Sequence, residues 1–137
     1  MIREMDVNGI VCRFKSSAAV PRMYRIKFGR DLFQDLNMLR KQLEKNKKLK
    51  QMTEENGELV VDQDEDDISE FPPKMLEIFE NVAFIMHKHG DKSQPEDIDE
   101  WLEQFETFDI YEVLPTILEM WSFENKGLSV PKKKSGR

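Results

Sequence analysis

The chain has 137 residues, 35% of them charged, which suits one compact domain or one domain with tails. Its single cysteine, Cys12, excludes an internal disulfide and is typical of a reducing compartment. The sequence lacks a signal peptide and any run of ~20 apolar residues, so it predicts a soluble cytoplasmic protein with no membrane partner.

Charge is distributed unevenly around the net value of −6. Residues 1–50 contain 13 Lys and Arg against 5 Asp and Glu, whereas residues 51–125 contain 3 against 22. Residues 126–137 are again basic. This asymmetry predicts either contacts with partners or an electrostatic clasp between the two halves, while the simpler alternative is that each half has a solvated face of one sign.

The first predicted element is a β-hairpin around Asn8-Gly9, the preferred pair for a type I′ turn. Ile10, Cys12 and Phe14 alternate with Val11 and Arg13, the period of a strand with one apolar face. A hairpin alone is marginally stable in water, so we expect this one to dock on a helix or on another edge.

A helical pattern follows from Arg22 to about Lys50, with leucines at three- and four-residue spacing from Leu32 to Leu43. Gly29 interrupts this pattern and predicts a bend, or two helices that meet there. Residues 51–70 are acidic and poor in periodic apolar positions, and we interpret them as a linker.

Three further helices are predicted after the linker. The first begins at Pro72-Pro73 and ends near Gly90, with an apolar stripe broad enough to be buried on more than one side. A short helix after Pro95 carries Ile98, Trp101, Leu102 and Phe105 at helical spacing. The last begins near Asp109, contains Pro115 as a kink or restart, and keeps its apolar period to Trp121.

The expected fold is therefore mainly α, a small domain of about four helices with an N-terminal β-hairpin. Residues 1–50 form a basic unit of hairpin and bent first helix, and residues 51–70 form the acidic linker. Residues 71–125 form an acidic helical segment, and residues 126–137 a flexible basic tail.

Enzymatic chemistry is not indicated, and we predict no catalytic, cofactor-binding or metal-binding residue. The glycines are scattered, so no phosphate-binding loop is present. The two histidines, His87 and His89, point apart on a helix and are interpreted as polar residues at its end. The aspartates at 62, 64 and 66 have the spacing of a calcium loop, but the required glycine and bidentate glutamate are missing.

Three segments carry a resemblance when they are taken together. They are Met23–Asp31 with its Tyr-Arg, Phe-Gly and Asp, then Glu80–Met86, and finally Asp99–Phe105 followed by Asp109–Pro115 and Trp121. In order and spacing they resemble the tail assembly chaperones of phages and prophages of Gram-positive bacteria with long flexible tails.

The resemblance implies a chaperone that binds the tape measure protein, helps recruit the major tail protein, and is absent from the mature virion. Further candidate partners are a second copy of the chain and a frameshift-extended form of it. Such a form would arise if Lys132-Lys133-Lys134 were encoded by an adenine run on which the ribosome slips. The candidate motif and partner-binding residues are Tyr24, Arg25, Phe28, Gly29, Asp31, Trp101, Leu102, Phe105 and Trp121. Within the motif, we expect Gly29 to permit a close helix turn and Arg25 to pair with Asp31 or with the acidic half.

Two other functions remain open at this point. A nucleic-acid-binding regulator would use the basic first half, although the acidic second half would repel phosphate. A structural tail completion protein would be found in the virion. The apolar residues singled out also have a simpler interpretation, because most residues at helical spacing are core.

Overall fold

A computed structural model describes residues 1–56 and 71–122, and the side chains of residues 48–56 lie outside that description. It confirms a mainly α fold with an N-terminal β-hairpin. The hairpin consists of β1 (Ile2–Val7) and β2 (Ile10–Lys15). The helices are α1 (Ala19–Phe28), α2 (Leu32–Asn56), α3 (Pro73–Gly90), α4 (Ile98–Leu102) and α5 (Ile110–Met120).

The hairpin has the predicted turn. Asn8 and Gly9 both have positive φ, 57° and 87°, and the strands pair from Val7 with Ile10 to Ile2 with Lys15. Val7, Cys12 and Phe14 are fully buried, which confirms the apolar face. That face lies on α3, so the hairpin gains the docking partner that its isolated form would lack.

Helix α3 lies at the centre of the domain and contacts β2 and each of the other four helices that the structure describes. It begins with Pro73 in its first turn, where the missing N–H is tolerated. Every residue from Val82 to His87 is buried, so the prediction of burial on more than one side is confirmed. Leu76, near its start, stays 36% exposed.

The last two helices begin with acidic caps. The Asp97 carboxylate accepts from the Glu100 N–H, and the Asp109 carboxylate accepts from the Tyr111 N–H. Helix α4 ends at Leu102, earlier than predicted, and the chain then turns so that Phe105 packs against Trp101. Helix α5 continues through Pro115 without a restart.

The segment boundaries differ from the sequence prediction at one point. Helix α2 continues to Asn56, past the residue at which the acidic linker was expected to begin. The rest of that linker, residues 57–70, and the basic tail at 126–137 lie outside the described residues. The same holds for the aspartates with calcium-loop spacing and for Lys132-Lys133-Lys134.

Candidate functional site

The Tyr-Arg…Phe-Gly…Asp motif forms the corner between α1 and α2. Gly29 ends α1 in the left-handed region at φ 69°, ψ 27°, and its N–H donates to the Arg25 carbonyl at 2.8 Å. Asp31 begins the next helix, since its carboxylate accepts from the N–H groups of Phe33 at 2.9 Å and Gln34 at 3.3 Å. Two helices therefore meet at Gly29, and its expected role in a close turn is confirmed.

A buried carboxylate on α2 holds this corner together on its inner side. Asp35 is 1% exposed and accepts from the Tyr24 hydroxyl at 2.6 Å. The Arg30 guanidinium binds the same carboxylate through two parallel hydrogen bonds of 2.8 Å, the bidentate geometry that suits arginine. Burial, and then the contact with Asp35, raise the pKa of the Tyr24 hydroxyl far above its ordinary range. Tyr24 is consequently a neutral donor that ties α1 to α2.

The expected ion pair of Arg25 with Asp31 is wrong. Asp31 uses its carboxylate to cap α2, and the ion pair at this corner joins Arg30 to Asp35. Arg25 is exposed and makes no ion pair with any residue that the structure describes. The physical reason is the direction of the chain: the left-handed turn at Gly29 points Arg30 back toward the first turn of α2.

The outer side of the corner holds a cavity of about 330 Å³. Arg25, Gly29 and Asp31 line it together with Phe33, whose ring is 44% exposed. The Phe33 ring also packs edge-on against Trp121, with centroids 5.6 Å apart. The structure thus brings the end of the C-terminal signature next to the motif corner, although the two are distant in sequence.

The remaining part of the C-terminal signature lies in an aromatic cluster. Trp101 is fully buried, and its ring packs edge-on against Phe84, Phe105 and Phe108 at centroid distances of 5.1–5.4 Å. Its indole N–H donates to His87 Nδ1 at 3.0 Å. Trp101 therefore joins α4 to α3 from inside.

The candidate residues divide by exposure into three groups. Tyr24, Trp101 and Phe105 are buried, so the core interpretation is confirmed for them. Phe28, Leu102 and Trp121 are half-buried against the core. Arg25, Gly29 and Asp31 are exposed and can meet a partner without any rearrangement of the fold.

Sequence reasoning missed Asp35 and His87 as organising residues. Both lie on apolar helix faces, Asp35 three residues after Leu32 and His87 four residues after Ala83. A polar residue on an apolar stripe signals a buried polar contact, and that signal was present in the periodicity. His87 does lie in the last turn of α3, as expected, but its burial was not predicted, because β2 covers it and Phe14 packs against its ring.

Reactive groups are few in this part of the molecule. Burial, with a smaller contribution from Asp6, raises the pKa of the Cys12 thiol to about 12, so thiolate chemistry is suppressed. Among residues 1–56 and 71–122, no group of three or more His, Cys, Asp or Glu could hold a metal ion. No helix in those ranges is long and apolar enough to cross a membrane.

Comparison with known proteins adds no relative. No family model matches the chain, and neither the curated proteins nor the solved structures include one that is significantly similar to it.

Proposed function

We propose that this protein is a phage tail assembly chaperone that binds the tape measure protein and keeps it soluble until the tail assembles. It also helps recruit major tail protein subunits to the growing tube, acts in the host cytoplasm and leaves before the virion is complete. The proposal rests on the order and spacing of the three motif segments, Met23–Asp31, Glu80–Met86 and Asp99–Trp121.

The observation that carries the proposal furthest is the position of the first motif. Its exposed members, Arg25, Gly29 and Asp31, surround a cavity at a rigid corner, beside Phe33 and Trp121. A surface that combines aromatic edges, a cation and an anion suits many modest contacts, which a holdase can later exchange for those of the assembled tail. The tight Tyr24–Asp35–Arg30 contacts keep this surface in one shape.

The test is co-expression with the tape measure protein of the same gene cluster. We expect the tape measure to remain in the soluble fraction and to co-purify only when this chain is present, because ligand-bound apolar helices cannot aggregate. A small soluble helical protein of similar charge serves as the control for unspecific solubilisation. A tape measure that is insoluble in both cultures, or soluble without help, contradicts the proposal.

A matched pair of variants locates the contact. Arg25→Glu reverses an exposed charge in the motif, whereas Lys41→Glu reverses an exposed charge on α2 outside it. Both should fold, since neither side chain is buried. We expect R25E to lower the recovery of soluble tape measure severalfold and K41E to leave it unchanged. Equal behaviour of the two variants would remove the motif corner from the mechanism.

A further inference from the structure

A second surface, which shares no lining residue with the cavity at the motif corner, lies in a groove of about 370 Å³ between α1 and α3. Its apolar lining comes from Met23 and Ile26 of α1 and from Phe84 and Ile85 of α3. The two α3 side chains are almost fully buried and form the floor. Ile26 stands beside them with 66% of its surface exposed, the largest fraction of any large apolar side chain in the described residues.

Cations lie along the same groove. Lys27 holds its ammonium 5.8 Å from the centre of the Phe84 ring, above the floor, and Lys92 lines the groove from the loop after α3. Helix α1 has no acidic residue, and of its three cations, Arg22, Arg25 and Lys27, it is Lys27 that lines the groove. Within the described part of the chain, Lys27 and Lys92 make no ion pair.

The other charges of the groove neutralise each other. Lys88 pairs with Glu96 at 3.1 Å and donates to the carbonyls of Lys92 and Gln94, so its ammonium is already saturated. Burial lowers the pKa of the His89 imidazole, with Lys15 and Lys92 acting in the same direction, so this ring is neutral at pH 7. The charge that the groove offers to a partner is therefore that of Lys27 and Lys92.

These features define the chemistry of an occupant. The groove is lined by helices and a loop, whose backbone offers no open strand edge, so an occupant must satisfy its own backbone hydrogen bonds. An amphipathic helix does this and presents apolar side chains at i, i+3 and i+4 between flanking polar ones. Nucleic acid fits less well, because the aromatic ring at the floor is buried and cannot stack on a base.

We propose that this groove binds an amphipathic helix of a partner protein, with its apolar side chains on Ile26 and Met23 and its Glu or Asp side chains paired with Lys27 and Lys92. The inference deepens the proposed function and rests on it only for the identity of the partner, a helical segment of the tape measure protein. The groove therefore requires acidic residues beside the apolar stripe of the bound helix, a requirement that the proposed function alone does not include.

The experiment uses the full chain and two synthetic peptides, measured by fluorescence polarisation. Both peptides have about 18 residues, or five helical turns, with the same leucine stripe. One carries glutamate beside the stripe, and the other carries lysine at the same positions. We expect the glutamate peptide to bind and the lysine peptide to bind at least tenfold more weakly, with the difference shrinking as ionic strength rises from about 0.01 M to about 1 M.

Matched variants separate the groove from the rest of the surface. Ile26→Asp should lower affinity for the glutamate peptide about tenfold or more, whereas Val11→Asp, at an equally exposed apolar position on the hairpin, should leave it unchanged. The double variant K27E/K92E should reverse the preference between the two peptides, with K41E as the control. Far-UV circular dichroism checks that each variant is folded.

Several outcomes would overturn the groove assignment. They are no binding of the glutamate peptide, equal binding of both peptides, or equal losses in I26D and V11D. A DNA oligonucleotide that displaces the glutamate peptide and loses binding in K27E/K92E would make this a nucleic-acid surface. Self-association that I26D abolishes would assign it to a second copy. If wild-type chain rescues the tape measure and K27E/K92E rescues it equally, the groove fails while the proposed function stands.

Discussion

At the scale of single residues, the polar groups in the core differ in how completely they are satisfied. Asp35 has three hydrogen bonds to its carboxylate, from Tyr24 and Arg30. His87 accepts one at Nδ1 from Trp101, so the proton of its neutral ring is on Nε2, which is buried with no hydrogen-bond partner among the described residues. The Asp35 carboxylate is thus fully paired inside the fold, whereas His87 makes stability depend on pH.

The sign of that dependence follows from burial. Burial lowers the pKa of His87 below its ordinary 6.5, with Asp91 opposing it in part, and burial also lowers the pKa of His89. Below pH 6.5 these imidazoles therefore bind more protons in the unfolded chain than in the folded one. The free energy of unfolding consequently falls as pH falls. Protonated His87 would moreover turn an N–H toward the indole N–H of Trp101.

We expect urea denaturation to show a clear loss of stability from about pH 7.5 to about pH 5.5. In His87→Asn the amide oxygen can still accept from Trp101 but does not titrate, so the pH slope should become shallower whatever the absolute stability. His89→Asn provides the comparison, because His89 is only half-buried. An H87N slope identical to that of the wild type would show that His87 does not titrate differently on folding.

The sequence indicated part of this residue-scale pattern. The apolar stripes of α3 and α5 and the turn residues Asn8 and Gly9 were predictable because local periodicity and backbone geometry determine them. His87 was not, because its burial depends on β2, which lies far away in sequence. The partner of Arg30 was missed for a similar reason: sequence spacing alone does not give the direction in which the chain leaves Gly29.

At the scale of elements, the close approach of α3 to the hairpin depends on Gly90. A Cβ atom added there would lie 2.1 Å from the Arg13 carbonyl oxygen, and the Gly90 carbonyl accepts from the Arg13 guanidinium at 3.1 Å. The end of α3 and the middle of β2 therefore meet backbone to backbone. The sequence marked Gly90 only as a helix stop, since nothing local to it reveals a strand passing by.

Gly90→Ala should push β2 away from α3 and lower the free energy of unfolding by about 3 kcal/mol, the upper range for overpacking. Gly29→Ala is the matched control, because Gly29 has open space around it and only its positive φ opposes a side chain. We expect about 1 kcal/mol for G29A. Denaturant midpoints measure both values, and a G90A variant as stable as G29A would contradict the close contact.

Helix boundaries were predicted best where residues at the boundary itself determine them. The division at Gly29 and the start of the last helix near Asp109 follow from local rules. The end of α4 does not follow from them, because Phe105 continues the helical period in sequence although the chain has left the helix there and its ring packs edge-on against Trp101. Helix periodicity cannot distinguish a residue that continues a helix from one that folds back onto it.

At the scale of the whole molecule, apolar packing rather than charge joins the two halves. Among the described residues, the one ion pair between the basic first half and the acidic second half joins Arg3 to Glu119 at 2.6 Å, with side chains that are 34% and 50% exposed. An exposed pair of this kind contributes at most about 1 kcal/mol. The clasp predicted from charge asymmetry is thus a minor term in this fold, and the surplus charge is available for partners.

Phe14 tests how strongly the hairpin is integrated. It is fully buried and its ring lies 5.8 Å from that of His87, so Phe14→Ala leaves a cavity at the centre of the contact between β2 and α3. We expect a loss of about 3–5 kcal/mol. Because α3 is central, the transitions followed by far-UV circular dichroism and by tryptophan fluorescence should shift together.

Val11→Ala, at an exposed position of the same strand, should change neither transition appreciably. Separate transitions in F14A, with the hairpin signal lost first and the tryptophan environment retained, would show instead that the hairpin is an independent appendage.

The docking of β2 on α3 also constrains how the chain emerges from the ribosome. The hairpin is synthesised before α3, but its buried face is covered by α3, and the hydrogen bonds that join Arg13 to Gly90 and Ser17 to His89 form only with that helix in place. A nascent chain therefore exposes the apolar side of the hairpin, and the leucines of α2, until the central helix has left the exit tunnel. Pauses in translation before that point should be the moment at which this protein itself most needs protection from aggregation.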